Sequence, residues 1–156
     1  MTHPARQSAP ARAPFAPLIF FVVGQPRTQG NHRVSRAGYV YDSSKQLPAW
    51  RSAVATEARV VRFTRQNMLF PVTAAVAVTL HFTCLRPRKP AHTYPRLDTD
   101  KAARAVLDSL VHGGLLADDN AVIALKVTKA YAFPGSPCGC SIAIYDAEDP
   151  CRTPTP

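Results

Sequence analysis

The chain has 156 residues, of which 46% are hydrophobic and 19% are charged, and this size and composition fit one compact domain with a substantial core. Nineteen Lys and Arg residues against ten Asp and Glu residues give a formal net charge of +9, which argues against a neutral metabolite as the main ligand. Nucleic acid is therefore the first partner class that the composition predicts, and an anionic membrane surface is the second.

The first 17 residues predict a disordered basic arm, because they are rich in Pro, Ala and Arg and show no hydrophobic periodicity. They also lack the apolar region of a signal peptide. The first apolar run, Leu18 to Val23, has six residues, far fewer than the ~20 that cross a bilayer. From these features we expect a soluble protein of the cytoplasm.

Two strands are predicted after the arm. Leu18 to Val23 is apolar, β-branched and aromatic and stops at Gly24-Gln-Pro26, which predicts a buried strand with Phe20 and Phe21 in the core. Tyr39-Val-Tyr41 predicts a second, short strand. The loop between them carries four basic side chains: Arg27, His32, Arg33 and Arg36.

A long amphipathic helix is predicted near Lys45 to Asn67. Asp42-Ser-Ser44 supplies N-cap candidates, and Pro48 fits only in the first turn of the helix. Apolar residues recur at helical spacing and predict a stripe that packs in the core. The stripe consists of Trp50, Val54, Ala58 and Val61.

Strand and helix signals then alternate. Val72 to Cys84 predicts a strand, and Leu85 to Pro90 predicts a basic loop after it. Lys101 to His112 predicts a helix that stops at Gly113-Gly114. The last predicted segments are strands at Ala121 to Ala130 and Ser141 to Tyr145 and a loose tail over 147–156.

These elements together predict a mixed α+β (α/β) domain over residues 18–146. It should contain a small mixed sheet of about four to five strands and two main helices.

Charge is divided unevenly along the chain. Up to Arg96 there are fourteen Lys or Arg residues against two acids, whereas from Leu97 onward there are five against eight. Five of these eight acids fall in one short stretch: Asp98, Asp100, Asp108, Asp118 and Asp119. A basic half that attracts polyanions is thus followed by a cluster of carboxylates.

The carboxylates have two explanations. Carboxylate oxygens are the ligands that Mg²⁺ prefers, and acids that converge from a loop, a helix start and a strand start leave room for water and phosphate. In the alternative explanation, Asp98 or Asp100 caps the helix, and Arg104 forms i,i+4 ion pairs with Asp100 and Asp108. Asp118-Asp119 is then an ordinary turn.

The ordered pattern of acids resembles the signature of the RusA-type Holliday junction resolvases. That signature reads D-x-D-N-L-x-K, then D-A-L, a Gly-containing turn, D-D and a strand. Gly24-Gln-Pro26 is similar to the opening G-x-P of the family, so the resemblance covers roughly 18–145. The matching residues are Asp98-Thr-Asp100, Arg104, Asp108-Ser-Leu110 and Asp118-Asp119.

The resemblance implies an endonuclease that cuts four-way DNA junctions as a homodimer with Mg²⁺ or Mn²⁺ and without a small-molecule cofactor. It implies that Asp98, Asp100 and Asp119 bind the metal, with Asp118 as a further ligand and Asp108 in a supporting role. Two identical sites would suit a junction, because ligatable products require symmetric nicks in two strands.

Several positions depart from the family pattern. Arg104 stands where the family has a catalytic Lys, and Lys101 stands where it has Asn. Arg104 can bind phosphate but cannot act by losing a proton, and Lys101 could compensate from the same helix. A junction-binding protein without catalysis and a general Mg²⁺-dependent nuclease therefore remain as alternatives. Other departures are Ala102, Ala121, Gln29, Asn31 and His32.

Two further groups of residues have possible functions. Six basic loop residues are expected to contact the DNA backbone: Arg27, Arg33, Arg36, Arg86, Arg88 and Lys89. The four cysteines, with Cys138-Gly-Cys140 among them, lack the paired spacing of a zinc site and are expected to be free thiols.

Overall fold

The computed structural model describes residues 14–29, 32–34, 40–42 and 46–147. Nine elements follow one another in the chain. They are β1 (Leu18–Val23), β2 (His32–Val34), β3 (Val40–Asp42), α1 (Leu47–Thr64), β4 (Val76–Cys84), α2 (Thr99–His112), a turn of 3-10 helix (Asp119–Ala121), β5 (Val122–Tyr131) and β6 (Gly139–Asp146).

Four of the strands form one mixed sheet in the order β1-β6-β4-β5. β6 pairs antiparallel with β1 and with β4, whereas β4 and β5 run parallel. β2 and β3 form a separate antiparallel pair. The predicted mixed α+β domain with a four-stranded sheet and two main helices is confirmed.

Both helices pack on one face of the sheet. Alternate residues of β4 and β6 enter this core, among them Leu80, Phe82 and Ile142, all of which are fully buried. Trp50 of α1 is only 3% exposed, as predicted for the apolar stripe of this helix. The helices approach closely at Gly113, where an added Cβ would lie 2.7 Å from the Cβ of Ala58.

The other face of the sheet is open, which corrects the prediction of a buried strand with both Phe20 and Phe21 in the core. Ile19 and Val23 are each 65% exposed, because β1 is an edge strand with one covered face. Phe20 packs against the core, whereas Phe21 is half-buried on the open side, where its ring covers Gly139.

The start of α1 also differs from its prediction. Gln46, rather than Asp42, is the N-cap residue, and it makes no side-chain capping bond. Pro48 lies in the first turn as predicted. Since proline supplies no amide hydrogen, one of the donors that a cap would satisfy is missing. Residues 43–45, which include the other cap candidates, lie outside the described residues.

The predicted strand from Val72 is shorter than expected. β4 begins at Val76, and Val72 forms only an isolated parallel bridge with Leu116. Most of the predicted arm (residues 1–13), most of the predicted tail (148–156) and Arg36 lie outside the described residues. Within the described residues, no helix combines the length and apolarity needed to cross a membrane.

Candidate active site

β4, α2 and β5 form a β-α-β unit that positions the acids. Because β4 and β5 are parallel, α2 must return the chain from the carboxyl end of β4 to the start of β5. The carboxyl end of a parallel strand is where α/β proteins place their ligands. The start of α2, with Asp98 and Asp100, therefore lies at this favoured end of the sheet.

Two contacts fix this end of the sheet. Nζ of Lys129, near the end of β5, donates a hydrogen bond to the carbonyl oxygen of Leu97 at 2.6 Å. The backbone amide of Leu85 donates to Oε1 of Gln25 at 3.1 Å, which ties the loop after β1 to the loop after β4. The chain segment that enters α2 is thus held from the sheet side.

Asp98 and Asp100 form a carboxylate pair. Asp98 is the N-cap residue of α2 but makes no side-chain capping bond, and Asp100 lies in the first turn. A hydrogen bond between the two carboxyl groups raises the pKa of Asp98 above its usual value and lowers the pKa of Asp100. Nζ of Lys101 lies 3.5 Å from Oδ2 of Asp98. The pair is exposed to solvent.

The chemistry of this pair fits a hard divalent cation. Two adjacent carboxylates repel each other when both are ionised, and a cation between them removes that repulsion. Oxygen ligands on exposed side chains also leave room for the water that Mg²⁺ retains. The carboxylate pair therefore has the chemistry to form part of a site for a divalent cation.

Asp118 and Asp119 lie at the other end of the β-α-β unit. They precede β5, whereas the carboxylate pair lies near its end, and α2 spans ~20 Å between these ends. Oδ1 of Asp118 accepts a hydrogen bond from the amide of Asn120 at 2.8 Å, as in an ordinary turn. Asp119 is exposed in the same turn.

The predicted convergence of all the acids within one chain does not occur. Across the part of the chain that the structure describes, no three side chains of His, Cys, Asp or Glu come together as a metal-holding group. The reason is the parallel crossover, which carries the chain to the opposite end of the sheet before Asp118.

The other predicted residues of α2 separate into two groups. Arg104 is exposed one turn after the carboxylate pair, where it can reach a phosphate. Asp108 instead forms an ion pair with Arg51 of α1, with 2.5 Å between Nη2 and Oδ2. The i,i+4 pair between Arg104 and Asp108, the alternative suggested by the sequence, is therefore absent from the structure.

The two chain segments that follow β1 and β4 carry basic residues and lead to the start of α2. The amide of Gln29 donates to the carbonyl oxygen of Lys101 at 3.4 Å, so the segment that carries Arg27 lies against the start of α2. The guanidinium of Arg86 lies 5.5 Å from the ring centre of Tyr131. Arg88 and Lys89 are exposed in the same loop. The side chain of Arg33 lies outside the described residues, as does Arg36.

Sequence reasoning did not identify Lys129 or Tyr94 as residues of this region. Nζ of Lys129 lies 5.6 Å from the ring centre of Tyr94 in addition to its bond to Leu97. Lys129 is a charged residue at a position of β5 that faces the helices, since it pairs with the buried Phe82. A charged residue at such a position usually has a specific partner.

The cysteines that the structure describes are free thiols, as predicted. Burial raises the pKa of Cys140 to about 12 and also raises the pKa of Cys84. Cys138 is partly buried, and Cys151 lies outside the described residues.

Comparison with known proteins gives one family. The family model described as endodeoxyribonuclease RusA matches residues 23–139, three quarters of the chain. This match includes both the carboxylate pair and the Asp118-Asp119 turn. No curated protein matched the chain.

Proposed function

The chain belongs to the RusA endodeoxyribonuclease family of Holliday-junction-resolving nucleases, and from this premise we propose that it cuts four-way DNA junctions by paired symmetric nicks with Mg²⁺, for which Mn²⁺ can substitute. The observation that carries the proposal is the exposed Asp98–Asp100 pair, held at the carboxyl end of a parallel strand, where two basic chain segments lead to the start of α2.

In this proposal, Asp98, Asp100 and Asp119 hold the metal, with Asp118 beside them. When bound, the metal activates water and stabilises the leaving oxygen of the phosphodiester. Lys101 and Arg104 follow the pair on α2 and bind the scissile phosphate, which offsets the negative charge that develops during attack. Arg104 acts here through charge and geometry, because a guanidinium retains its proton.

A second copy of the chain would bring the two groups of acids close to each other. If β5 pairs with β5 of a partner across a two-fold axis, the two strands run antiparallel. The start of one strand then lies beside the end of the other. The partner subunit's Asp119 would thereby approach Asp98 and Asp100, and each dimer would contain two composite sites.

The edge of the sheet supports this arrangement. β5 is an edge strand, and its backbone offers unpaired hydrogen-bonding groups to another strand. Near its start, Ile123 is 67% exposed and Leu125 is 45% exposed. Exposed apolar side chains on an open strand edge favour association with a second strand. We therefore propose a homodimer that forms through β5.

The basic loops provide the remaining contacts to branched DNA. Positive side chains neutralise phosphates without reading sequence. The residues proposed for this role are Arg27, Arg86, Arg88 and Lys89 of the loops, Arg33 of β2, and Arg36, which lies outside the described residues.

The proposal is tested by cleavage of a synthetic four-way junction and of a linear duplex with the same sequence. We expect the unaltered chain to nick only the junction, symmetrically and with Mg²⁺ or Mn²⁺, and we expect chelator or Asp100→Asn to abolish cleavage. Tight junction binding without nicking under any metal would instead indicate a non-catalytic junction-binding protein. Equal cleavage of the linear duplex would indicate a general nuclease.

A further inference from the structure

A cleft of about 400 Å³ lies between α1 and α2, away from the carboxylate pair. We call it the arginine cleft. Two arginines and one carboxylate face it, so its formal charge is positive even when the histidine is neutral. Its polar lining consists of Arg51, Ser52, Arg59, Asp108, Ser109 and His112.

The two arginines of the cleft differ in their partners. Arg51 is paired with Asp108, and both side chains are about one third exposed. Arg59 is exposed, and among the described residues it forms no ion pair. The guanidinium of Arg59 is therefore the group that is free to bind an anion from solvent.

A third arginine extends the positive surface. Arg51, Arg59 and Arg62 are eight and three residues apart, which places them on one side of α1. The guanidinium of Arg62 lies over the backbone of Gly114, where an added Cβ would be 2.5 Å from Nη1. The arginine cleft thus continues toward the end of α2.

A line of residues on α2 connects the cleft with the carboxylate pair. Lys101, Arg104, Asp108 and His112 recur at spacings of three, four and four residues and share one side of the helix. The first two are near the carboxylate pair, and the last two line the cleft. The path between the two sites is thus mainly cationic, which suits a continuous polyanion better than an isolated ion.

The distances also suit DNA. Asp108 and His112 are eight and twelve residues after Asp100, or ~12 to 18 Å along the helix. A DNA strand carries one phosphate per ~3.4 Å of duplex axis. The arginine cleft is therefore about four or five base pairs from the carboxylate pair. Guanidinium groups bind phosphate through two parallel hydrogen bonds.

We propose that the arginine cleft binds the phosphate backbone of one DNA arm, about four or five base pairs from the phosphate that is cut. This inference rests on the proposed function, because it takes the carboxylate pair as the cutting site. Asp108 is then no part of the metal site. It neutralises Arg51 through their ion pair and limits phosphate binding by charge repulsion.

The test compares Arg59→Gln with Lys126→Gln in the full chain. Lys126 is exposed on the open face of the sheet, and its replacement removes the same charge. Because Lys126 lies on β5, the strand proposed to form the dimer, thermal unfolding and analytical ultracentrifugation first establish that both variants fold and keep the oligomeric state of the unaltered chain. Dissociation constants for a four-way junction are then measured in Ca²⁺ over a range of salt concentrations. We expect Arg59→Gln to weaken binding about fivefold to tenfold and to lower the salt slope by ~0.9, the value for one lost phosphate contact.

A second variant and a modified substrate sharpen the test. We expect Asp108→Asn to tighten junction binding, because it releases Arg51 and removes a negative charge from the cleft. A neutral methylphosphonate four or five base pairs from the nick should weaken binding by the unaltered chain but not by Arg59→Gln. Inorganic phosphate at millimolar concentration should compete poorly, since the ligand is a DNA backbone.

Equal affinity and equal salt slope for Arg59→Gln and Lys126→Gln would overturn the inference. So would displacement of the junction by millimolar inorganic phosphate, which would indicate a site for a free anion. Failure of the proposed function has a different signature, namely absence of junction cleavage by the unaltered chain. The binding comparison decides the role of the arginine cleft in either case.

Discussion

Nζ of Lys129 lies 2.6 Å from the carbonyl oxygen of Leu97, and this bond joins the end of β5 to the residue that precedes the carboxylate pair. The partner is a backbone group, so the bond positions the chain without neutralising Asp98. Lys129 is therefore a positioning residue for the start of α2.

The first prediction concerns this bond. Lys129→Met should lower the rate of junction cleavage about tenfold, because a hydrogen bond from a charged donor contributes ~1.5 kcal/mol or more. Single-turnover cleavage at saturating protein measures the effect, and Lys129→Arg, which keeps a positively charged donor at the same position, is the control. Equal rates for the two variants would contradict a positioning role, whereas a changed ratio of activity with Mn²⁺ to activity with Mg²⁺ in Lys129→Met would support it.

The second prediction concerns the composite sites. Asp100→Asn and Asp119→Asn should each be inactive alone. A mixture that has exchanged subunits should recover about a quarter of the normal nicking, because half of the dimers are mixed and each mixed dimer has one intact site. The recovered products should be single nicks, which a denaturing gel distinguishes from paired nicks. If each site lay within one chain, mixing would restore no activity.

The third prediction concerns alkaline pH. The pKa of Cys140 rises from its usual 9.0 to about 12 in the fold, so the unfolded chain loses this proton first as the pH rises. The free energy of unfolding should then fall between pH 9 and pH 12, by at most ~1.4 kcal/mol per pH unit for this group. Urea unfolding at several pH values measures the slope.

Two variants provide the comparison for the thiols. Cys140→Ala should flatten the dependence on alkaline pH, and Cys84→Ala should change it in the same direction, because burial raises the pKa of Cys84 as well. Alkylation of the native protein should modify Cys138 well before Cys140, which is buried. Peptide mass spectrometry after brief exposure to iodoacetamide would establish the order, and early modification of Cys140 would contradict it.

The fourth prediction concerns the contact between the helices. Gly113→Ala should lower the free energy of unfolding by ~1–3 kcal/mol, because the new Cβ would lie 2.7 Å from Ala58 and 2.8 Å from the carbonyl oxygen of Ala55. Gly135→Ala is a useful comparison, because a Cβ added there would have no atom within 4 Å, although Gly135 has a φ of +83°. Thermal unfolding should show the larger loss for Gly113→Ala, and no loss would mean that α1 and α2 separate easily.

Local patterns predicted most of the fold. The apolar run of β1 and the stop signal at Gly113 gave element ends that match the structure. The interior of α1 was also correctly predicted, because its apolar residues recur with the period of a helix. The ends of β1 and α2 and the interior of α1 depend on residues that are neighbours in the sequence, so local patterns are enough to predict them.

The arrangement of the candidate site was harder to predict. No residue near Asp118 indicates whether the following strand runs parallel or antiparallel to β4. The direction of that strand decides which end of the sheet the Asp118-Asp119 turn occupies. The partner of Asp108 was missed for a similar reason, since Arg51 is 57 residues away in the chain. Long-range geometry of this kind becomes visible only when the strands are paired.

Helix α2 also acts as a spacer. It has fourteen residues, begins within the carboxylate pair and ends at the turn that leads to Asp119, and it packs near β5, a strand of ten residues. In a two-fold dimer joined through β5, the length of this strand sets how far apart the two cutting centres are. The separation of the two nicks on a junction is then determined by the register of one strand against its copy, and a slip of two residues would move both cuts.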